Sequence, residues 1–476
     1  SSSSSSSSSS WQQGECRIDR IETREPTYRF EAEGGVTEFW DHNEQEFRCA
    51  GVSFHRHTLR RNSLLLPYYT TAPSLVYVLQ GRGTFGHLVP GCPETYESES
   101  GSEREGGGEQ ERERYGEMGR RFRDRHQKVG QLRKGDIVAS PAGIARWVYN
   151  DGDEELVLVA LEETSNRANQ LDENPRSFYL AGNPRSGGEG GQQRQRESAF
   201  RHHGQGGRGQ PEFGNVFRGF DAQWLSEIFQ VDEETARKLQ GEDENRGHII
   251  TVERSLQVLS PPHRGEEERY RRGERRQYGG RGGSSWGNGL EETVCSARVK
   301  ENIDRPSRAD VYNPEAGRYS TVNCFTLPIL RFLGLSAGKG VLHENAIMAP
   351  HWYTNAHSIV YFTRGEGRAQ VVNHRGEAVF DGDVNEGQVL VVPHNFAVVK
   401  RAAGRRLEWV EFNTNHDAMI NTLAGRTSAL RGLPADVVAA AYQIPREEAQ
   451  RLKSSRRETF LFQSDAGERS RRIAAA

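Results

Sequence analysis

The 476-residue chain is predicted to be dominated by β structure, with one β-rich unit present twice and each copy closed by a short helical arm. Three observations predict this. Short apolar runs rich in β-branched residues recur between glycines and prolines, which is the pattern of buried strands. Segments of the first half return in the second half in the same order. Residues 77–83 (YVLQGRG) match 361–367 (YFTRGEG), Gly135 with Pro141 matches Gly387 with Pro393, and 221–239 matches 434–452. The offset between matches shrinks along the chain by amounts close to the lengths of two polar inserts, near 93–126 and 183–211, that the second half lacks. A duplicated unit with two insertions explains all three.

Taken in order, residues 1–10 are a serine run without fold information. No basic stretch followed by an apolar run opens the sequence, so any secretion leader is expected to be already removed. The first unit is expected over 11–245. Within it 75–79 (LVYVL), 136–139 (DIVA) and 156–161 (LVLVAL) are the clearest buried strands. The inserts are too polar to build a core. The arm reads as two helices, 221–229 and 233–239, capped by Asp221 and Asp232. A charged, glycine-rich linker over 246–288 leads to the second unit, 289–476. Asn288-Gly289 marks the change, and its upstream neighbours (GGRGGSSWG) cannot form the strand a hairpin turn requires. It is therefore read as an exposed loop tip, where proteases cut.

Composition narrows the classes of function. No stretch approaches the ~20 apolar residues of a membrane-spanning helix, and no membrane partner is expected. From Gly289 onward there are 24 Lys and Arg against 21 Asp and Glu, with 39 against 45 before it. Cleavage at Asn288 would thus divide an acidic chain from a weakly basic one, too weakly basic for a nucleic-acid surface. Of 63 cationic residues only seven are Lys, and this arginine excess suits a nitrogen store. Five cysteines without CxxC spacing favour disulfides, and hence the secretory pathway, over a zinc site.

At this point the residues resemble a known family. Gly135, Pro141, Gly143, Arg146 and Asn150 are spaced as in the second cupin motif, and 77–83 looks like the end of the first. The junction 288–295 (NGLEETVC), with 310–317 (DVYNPEAG) and 379–382 (VFDG), resembles the 11S globulin, or legumin-type, seed storage proteins. The resemblance implies two jelly-roll cupin barrels per chain and a nutrient-reservoir role without enzymatic activity. It also implies trimers that become hexamers after an asparaginyl endopeptidase cuts between Asn288 and Gly289 in the protein storage vacuole of the seed. It further implies disulfides Cys16–Cys49 and Cys92–Cys295, with Cys324 unassigned.

Many cupins are enzymes because three His and one carboxylate hold a transition metal within the barrel. By ungapped alignment those positions hold Pro67, Tyr69, Ser74 and Arg146 in the first unit, and His351, Tyr353, Ser358 and Val398 in the second. Only one His remains, and Arg146 is a permanent cation that would repel a metal. No metal, cofactor or catalytic residue is therefore expected. The alternatives are a metal-free barrel that carries a small molecule and, more remotely, a metal-dependent cupin enzyme. Three further features are read as structural. Gly81-Arg-Gly83-Thr-Phe-Gly86 lacks the following helix of a dinucleotide site. His55 and His57 are read as surface or hydrogen-bonded histidines. The Arg/Gly tract over 264–283 is read as a solvated linker.

Overall fold

The computed structural model describes residues 16, 18–92, 94, 96–97, 125–186, 212–256, 258 and 295–464. The serine run, most of both inserts, the Arg/Gly tract and the Asn288-Gly289 junction lie outside the described residues.

Each unit is a pair of facing sheets. In the first, one sheet has the strand order Tyr28–Ala32, Gly35–Phe39, Ser53–Leu59, Leu156–Glu162, Ser74–Gln80, Asp136–Ser140 and Lys300–Asn302. Its partner sheet runs Glu212–Asn215, Arg176–Tyr179, Ser63–Thr70, Ala145–Tyr149, Arg82–Leu88 and Val129–Arg133, with Ile249–Thr251 also on Ser63–Thr70. The second unit repeats the plan with Val311–Asn313, Gly317–Val322, Ser336–Leu342, Leu407–Asn413, Ser358–Arg364 and Val389–Val392. These face a sheet built from Ala378–Asn385, Glu366–Val372, Ala397–Ala402, Ile347–Tyr353 and Ile420–Thr422. The result is two jelly-roll barrels: the duplication predicts the repeated β-rich unit, and the family resemblance implies its jelly-roll form.

The continuous apolar run 156–161 of the strand Leu156–Glu162 follows from its position at the middle of a sheet covered on both faces. Leu156 and Leu158 point into the first barrel, while Val159 and Leu161 join a core shared by the two barrels. That shared core also holds Trp40, Phe54 and Tyr77 from one side and Tyr361, Val410 and Phe412 from the other. Gly81 and Gly365 close the equivalent tight turns at φ +84° and +83°, where a Cβ would meet a backbone oxygen at 2.5 and 2.0 Å. Both turns therefore require glycine. Gly83 and Gly86 lie within the strand Arg82–Leu88, which excludes a helix-opening phosphate loop.

The barrels are related as a pair, and each receives a segment from the other half of the chain. Lys300–Asn302 extends the first barrel's sheet by pairing with Asp136–Ser140. Reciprocally, Arg24 bridges Val389 at the matching edge of the second barrel, the Ile21 amide donates to the Val379 carbonyl at 2.8 Å, and Ile18 and Ile21 enter the second barrel's core. Side chains repeat the exchange. Arg56 of the first barrel donates to the Tyr361 hydroxyl at 2.8 Å, and its counterpart Lys339 donates to the Tyr77 hydroxyl at 2.5 Å. The chain's spatial units thus interlock across the division expected at Asn288.

The arms are helical hairpins, Ala222–Phe229 with Glu233–Gln240 and Ala435–Tyr442 with Arg446–Ser454. Asp221 and Asp232 cap as expected, accepting from the Gln223 and Thr235 amides, each at 2.8 Å. Leu225 and Val438 are buried as the paired helices of each arm pack on one another. They do not belong to an outward face, because each arm supplies its own helical partner. The apolar residues left exposed are Trp224, Ile228 and Phe229 on one arm and Val437, Tyr442 and Leu452 on the other.

Candidate functional sites in the two barrel interiors

The strand Ser63–Thr70 places its side chains alternately inside and outside the first barrel. Tyr68 and Thr70 are buried, whereas Pro67 and Tyr69 are only partly so. Tyr68 pairs with Arg146 across the sheet as His351 pairs with Val398 in the second barrel. The true counterparts of His351 and Tyr353 are therefore Tyr68 and Thr70. Pro67 and Tyr69 are not interior positions. The ungapped alignment slipped by one residue because the loop before Ser74 is one residue shorter than the loop before Ser358, and a slip of one residue inverts every side chain of a strand. Ser74 and Ser358 are both fully buried at equivalent places, Ser74 opposite Glu162 and Ser358 opposite Asn413.

In the first barrel, Arg146 lies inside with 4% of its surface exposed. Its guanidinium stacks on the Tyr68 ring at 4.7 Å and approaches Glu162 Oε1 at 3.4 Å. His55 and His57 are interior residues, because the alternation of Ser53–Leu59 turns both inward. The Thr37 hydroxyl links His57 Nδ1 at 2.7 Å and His248 Nε2 at 2.5 Å. Burial, reinforced by the Arg146 charge, pushes His55 down to about 3, and burial takes His248 to about 4. These rings are neutral near pH 7. Burial pushes Glu162 up to about 7 against the opposing pull of Arg146.

The second barrel has a different buried pair on the same two strands. Lys400 and Glu411 are wholly buried, with Lys400 Nζ 3.5 Å from Glu411 Oε2. Lys400 also sits over the Trp409 ring at 4.9 Å. The Trp409 indole donates to Glu411 Oε2 at 3.0 Å, and the Tyr353 and Tyr319 hydroxyls donate to Oε1. Burial opposes ionisation of Glu411, but Lys400 and the two tyrosines outweigh it and hold the carboxyl below its usual range. Burial lowers Lys400 in turn. His351 bonds the Ala349 carbonyl through Nδ1 at 2.7 Å, and burial carries it down to about 4. Glu162, Lys400, Glu411, Tyr319 and His248 escaped sequence reasoning, which looked only at motif positions. A Lys inside the otherwise apolar 396–400 stretch (FAVVK) was the available signal for Lys400.

Among the described residues, no three His, Cys, Asp or Glu come together in an arrangement that could hold a metal ion. No described helix is long and apolar enough to cross a membrane. Disulfides join Cys16 to Cys49 and Cys92 to Cys295, with Cα separations of 5.4 and 5.5 Å, and Cys324 is free and buried.

Two interlocked barrels of this topology define the chain as a double cupin, and the Cupin family model matches residues 21–186 and 301–450. Within that class the relatives are specific. The chain is 51% identical to an 11S globulin of Juglans nigra, covering 95% of this chain and 91% of the relative. It is 48% identical to the 11S globulin seed storage protein Ana o 2.0101 of Anacardium occidentale, covering 97% and 95%. The crystal structure of pumpkin seed globulin superposes with a TM-score of 0.77 at 42% identity, over 94% of this chain and 99% of that one. The chain belongs to the 11S globulins, and it is a seed storage protein.

Proposed function

We propose that the chain serves only as a reserve of nitrogen and amino acids, without catalysis, and that it is processed and assembled in stages. The observation that carries this reading is that the motif positions hold Tyr68, Thr70, Ser74 and Arg146 in one barrel and His351, Tyr353, Ser358 and Val398 in the other, beside the buried pairs Arg146 with Glu162 and Lys400 with Glu411. Each barrel interior thus holds a buried cation, and a metal ion nearby would be repelled.

In this reading an asparaginyl endopeptidase in the protein storage vacuole cuts between Asn288 and Gly289, and Cys92–Cys295 keeps the two chains joined. The arms bury Trp224, Ile228 and Phe229 against Val437, Tyr442 and Leu452 of the next copy to close a trimer, and trimers stack as hexamers after the cut. No nucleic acid, membrane or cofactor takes part. Gel electrophoresis tests the processing. Chains of 288 and 188 residues should run as reduced bands near 30 and 20 kDa and fuse without reductant. Asn288→Gln should give one reduced band. Cleavage of that variant at the same junction, or turnover dependent on a transition metal, would overturn the reading.

A further inference from the structure

We propose that a groove between the two barrels binds a free amino acid as its zwitterion, carboxylate inward and ammonium outward. The groove has a volume of about 360 Å³, within the range of small-molecule sites. It lies between Pro26, Arg56 and Leu79 on one side and Tyr361, Thr363 and Gly387 on the other, so both halves of the chain build it.

The duplicated unit shows what such a place holds. Arg56, Tyr361 and Gly387 have counterparts in Lys339, Tyr77 and Gly135 at the other junction of the barrels. There Lys339 donates to the Tyr77 hydroxyl at 2.5 Å, and that hydroxyl donates to the Asp304 carboxylate at 3.2 Å. Lys339 also meets Asp304 directly at 2.7 Å, and a Cβ on Gly135 would lie 2.6 Å from the Asp304 side chain. The carboxylate fills that junction. At the groove Arg56 donates to the Tyr361 hydroxyl in the same way, at 2.8 Å, but no carboxylate among the described residues accepts from that hydroxyl. A Cβ on Gly387 would meet nothing nearer than Arg56, at 3.9 Å.

One residue makes the difference. Arg24 bridges Val389 as Glu301 pairs with Ile137, so Pro26 stands where Ile303 does and Thr27 where Asp304 does. The Ile303 amide donates to the Gly135 carbonyl at 2.9 Å and carries the chain on to Asp304. Pro26 has no amide to offer Gly387, and the chain turns away, the Thr27 amide donating to the Phe39 carbonyl at 2.8 Å. The groove therefore keeps the hydroxyl donor and lacks the side chain that accepts from its counterpart. Arg56 itself is spent on Glu38, at 2.8 Å from Nε and 2.6 Å from Nη2. The donors for a guest carboxylate are thus Tyr361, whose hydroxyl Arg56 polarises, and Thr363, whose buried Oγ1 has no partner among the described residues.

The outer part of the groove has the opposite character. Glu25 and Glu386 line it and are exposed, whereas Tyr361 is buried. Neither carboxylate has a cationic partner among the described residues; Glu25 accepts from Gln388 at 3.5 Å. Glu386 stands where the other junction has Lys134. A simple carboxylate would be repelled by this pair, and a simple amine would leave the inner donors unused, whereas a zwitterion satisfies both ends. Pro26 and Leu79 supply an apolar wall suited to an aliphatic side chain.

Calorimetric titration of the intact protein with L-leucine tests this. Leucine should bind once per chain. N-acetyl-L-leucine, which lacks the ammonium, and L-leucinol, which lacks the carboxylate, should each bind about tenfold more weakly. Tyr361→Phe, which removes the inner donor, should weaken leucine about tenfold. Because Tyr361 also accepts from Arg56, that variant is read beside Glu386→Gln, which lies at an exposed position where the fold is not at stake and should weaken leucine about threefold or more. No heat of binding at millimolar leucine would overturn the proposal. So would N-acetyl-L-leucine bound as tightly as leucine, or leucine binding that Glu386→Gln leaves unchanged.

Discussion

Arg146, Glu162, Lys400 and Glu411 show how a barrel interior can be charged and still stable, and they make separable predictions. Removing one member of a buried pair leaves an uncompensated charge, at a cost of about 3–5 kcal/mol. Lys400→Met should therefore lower the urea midpoint sharply, because Glu411 keeps its tyrosine and tryptophan donors but loses its cation. Lys400→Met combined with Glu411→Leu should recover much of the loss, since apolar replacements of both partners are often neutral. A double variant no more stable than the single one would show that the three donors, and not the ion pair, carry the stability. Glu162 predicts a pH dependence. Its native carboxyl titrates at about 7 against 4.5 for the free side chain, so the native state holds a proton that the unfolded chain releases. The contribution of this one group to stability therefore falls as pH rises from about 4.5 to 7 and levels off above, by about 3 kcal/mol at most. The neutral histidines act in the opposite sense, because His55, His57 and His248 titrate lower when folded and add stability as pH rises toward 6.5. Glu163, also pushed up to about 7 by burial, adds to the fall. The difference between wild type and Glu162→Gln isolates the one group: it should grow between pH 4.5 and 7, and a constant difference would contradict it.

The strands and helices differ in how much of them could be read from residues. The central strand Leu156–Glu162, the glycine turns and both capped helices were legible, because burial on two faces, positive φ and capping each leave a local mark. The register of Ser63–Thr70 was not. A one-residue difference in loop length has no local mark, yet it exchanges Pro67 and Tyr69 for Tyr68 and Thr70 as interior residues. The inward turn of His55 and His57 was equally hidden, since a His on a strand is compatible with either face. The arms show a limit of another kind. The sequence reading of two capped helices could not say that Leu225 and Val438 are consumed within the hairpin. What remains exposed is 64% of Trp224 and 69% of Ile228, a surface apolar enough to call for a partner. Ile228→Glu should leave the fold of the monomer intact and prevent trimer formation. Light scattering after size exclusion would report a particle of one-third the mass, and a normal trimer would exclude the arm as the contact.

At the scale of the molecule, the reciprocal exchange decides what a cut at Asn288 would do. The acidic piece would carry residues 18–24 into the second barrel, and the basic piece would carry Lys300–Asn302 into the first. Arg24 is further fixed by Glu46 at 3.1 Å, and Asp136 accepts from Lys300 and Asn302, each at 3.0 Å. The shared core of Trp40, Phe54, Tyr77, Tyr361 and Phe412 lies between the barrels and belongs to both pieces. Separating them would expose that core, several buried aromatic side chains at about 1.5–3 kcal/mol each, and break one interbarrel strand pairing and one isolated bridge. A disulfide contributes on the order of 2–4 kcal/mol, mainly by restricting the unfolded chain, so it is the smaller of the two bonds between the pieces. Cleaved protein carrying Cys92→Ser and Cys295→Ser should consequently co-elute as one particle in native buffer and separate only in denaturant. Its urea midpoint should become concentration-dependent, because unfolding would then release two molecules. Two separate peaks in native buffer would mean that the covalent link, and not the interlocked barrels, holds the halves together.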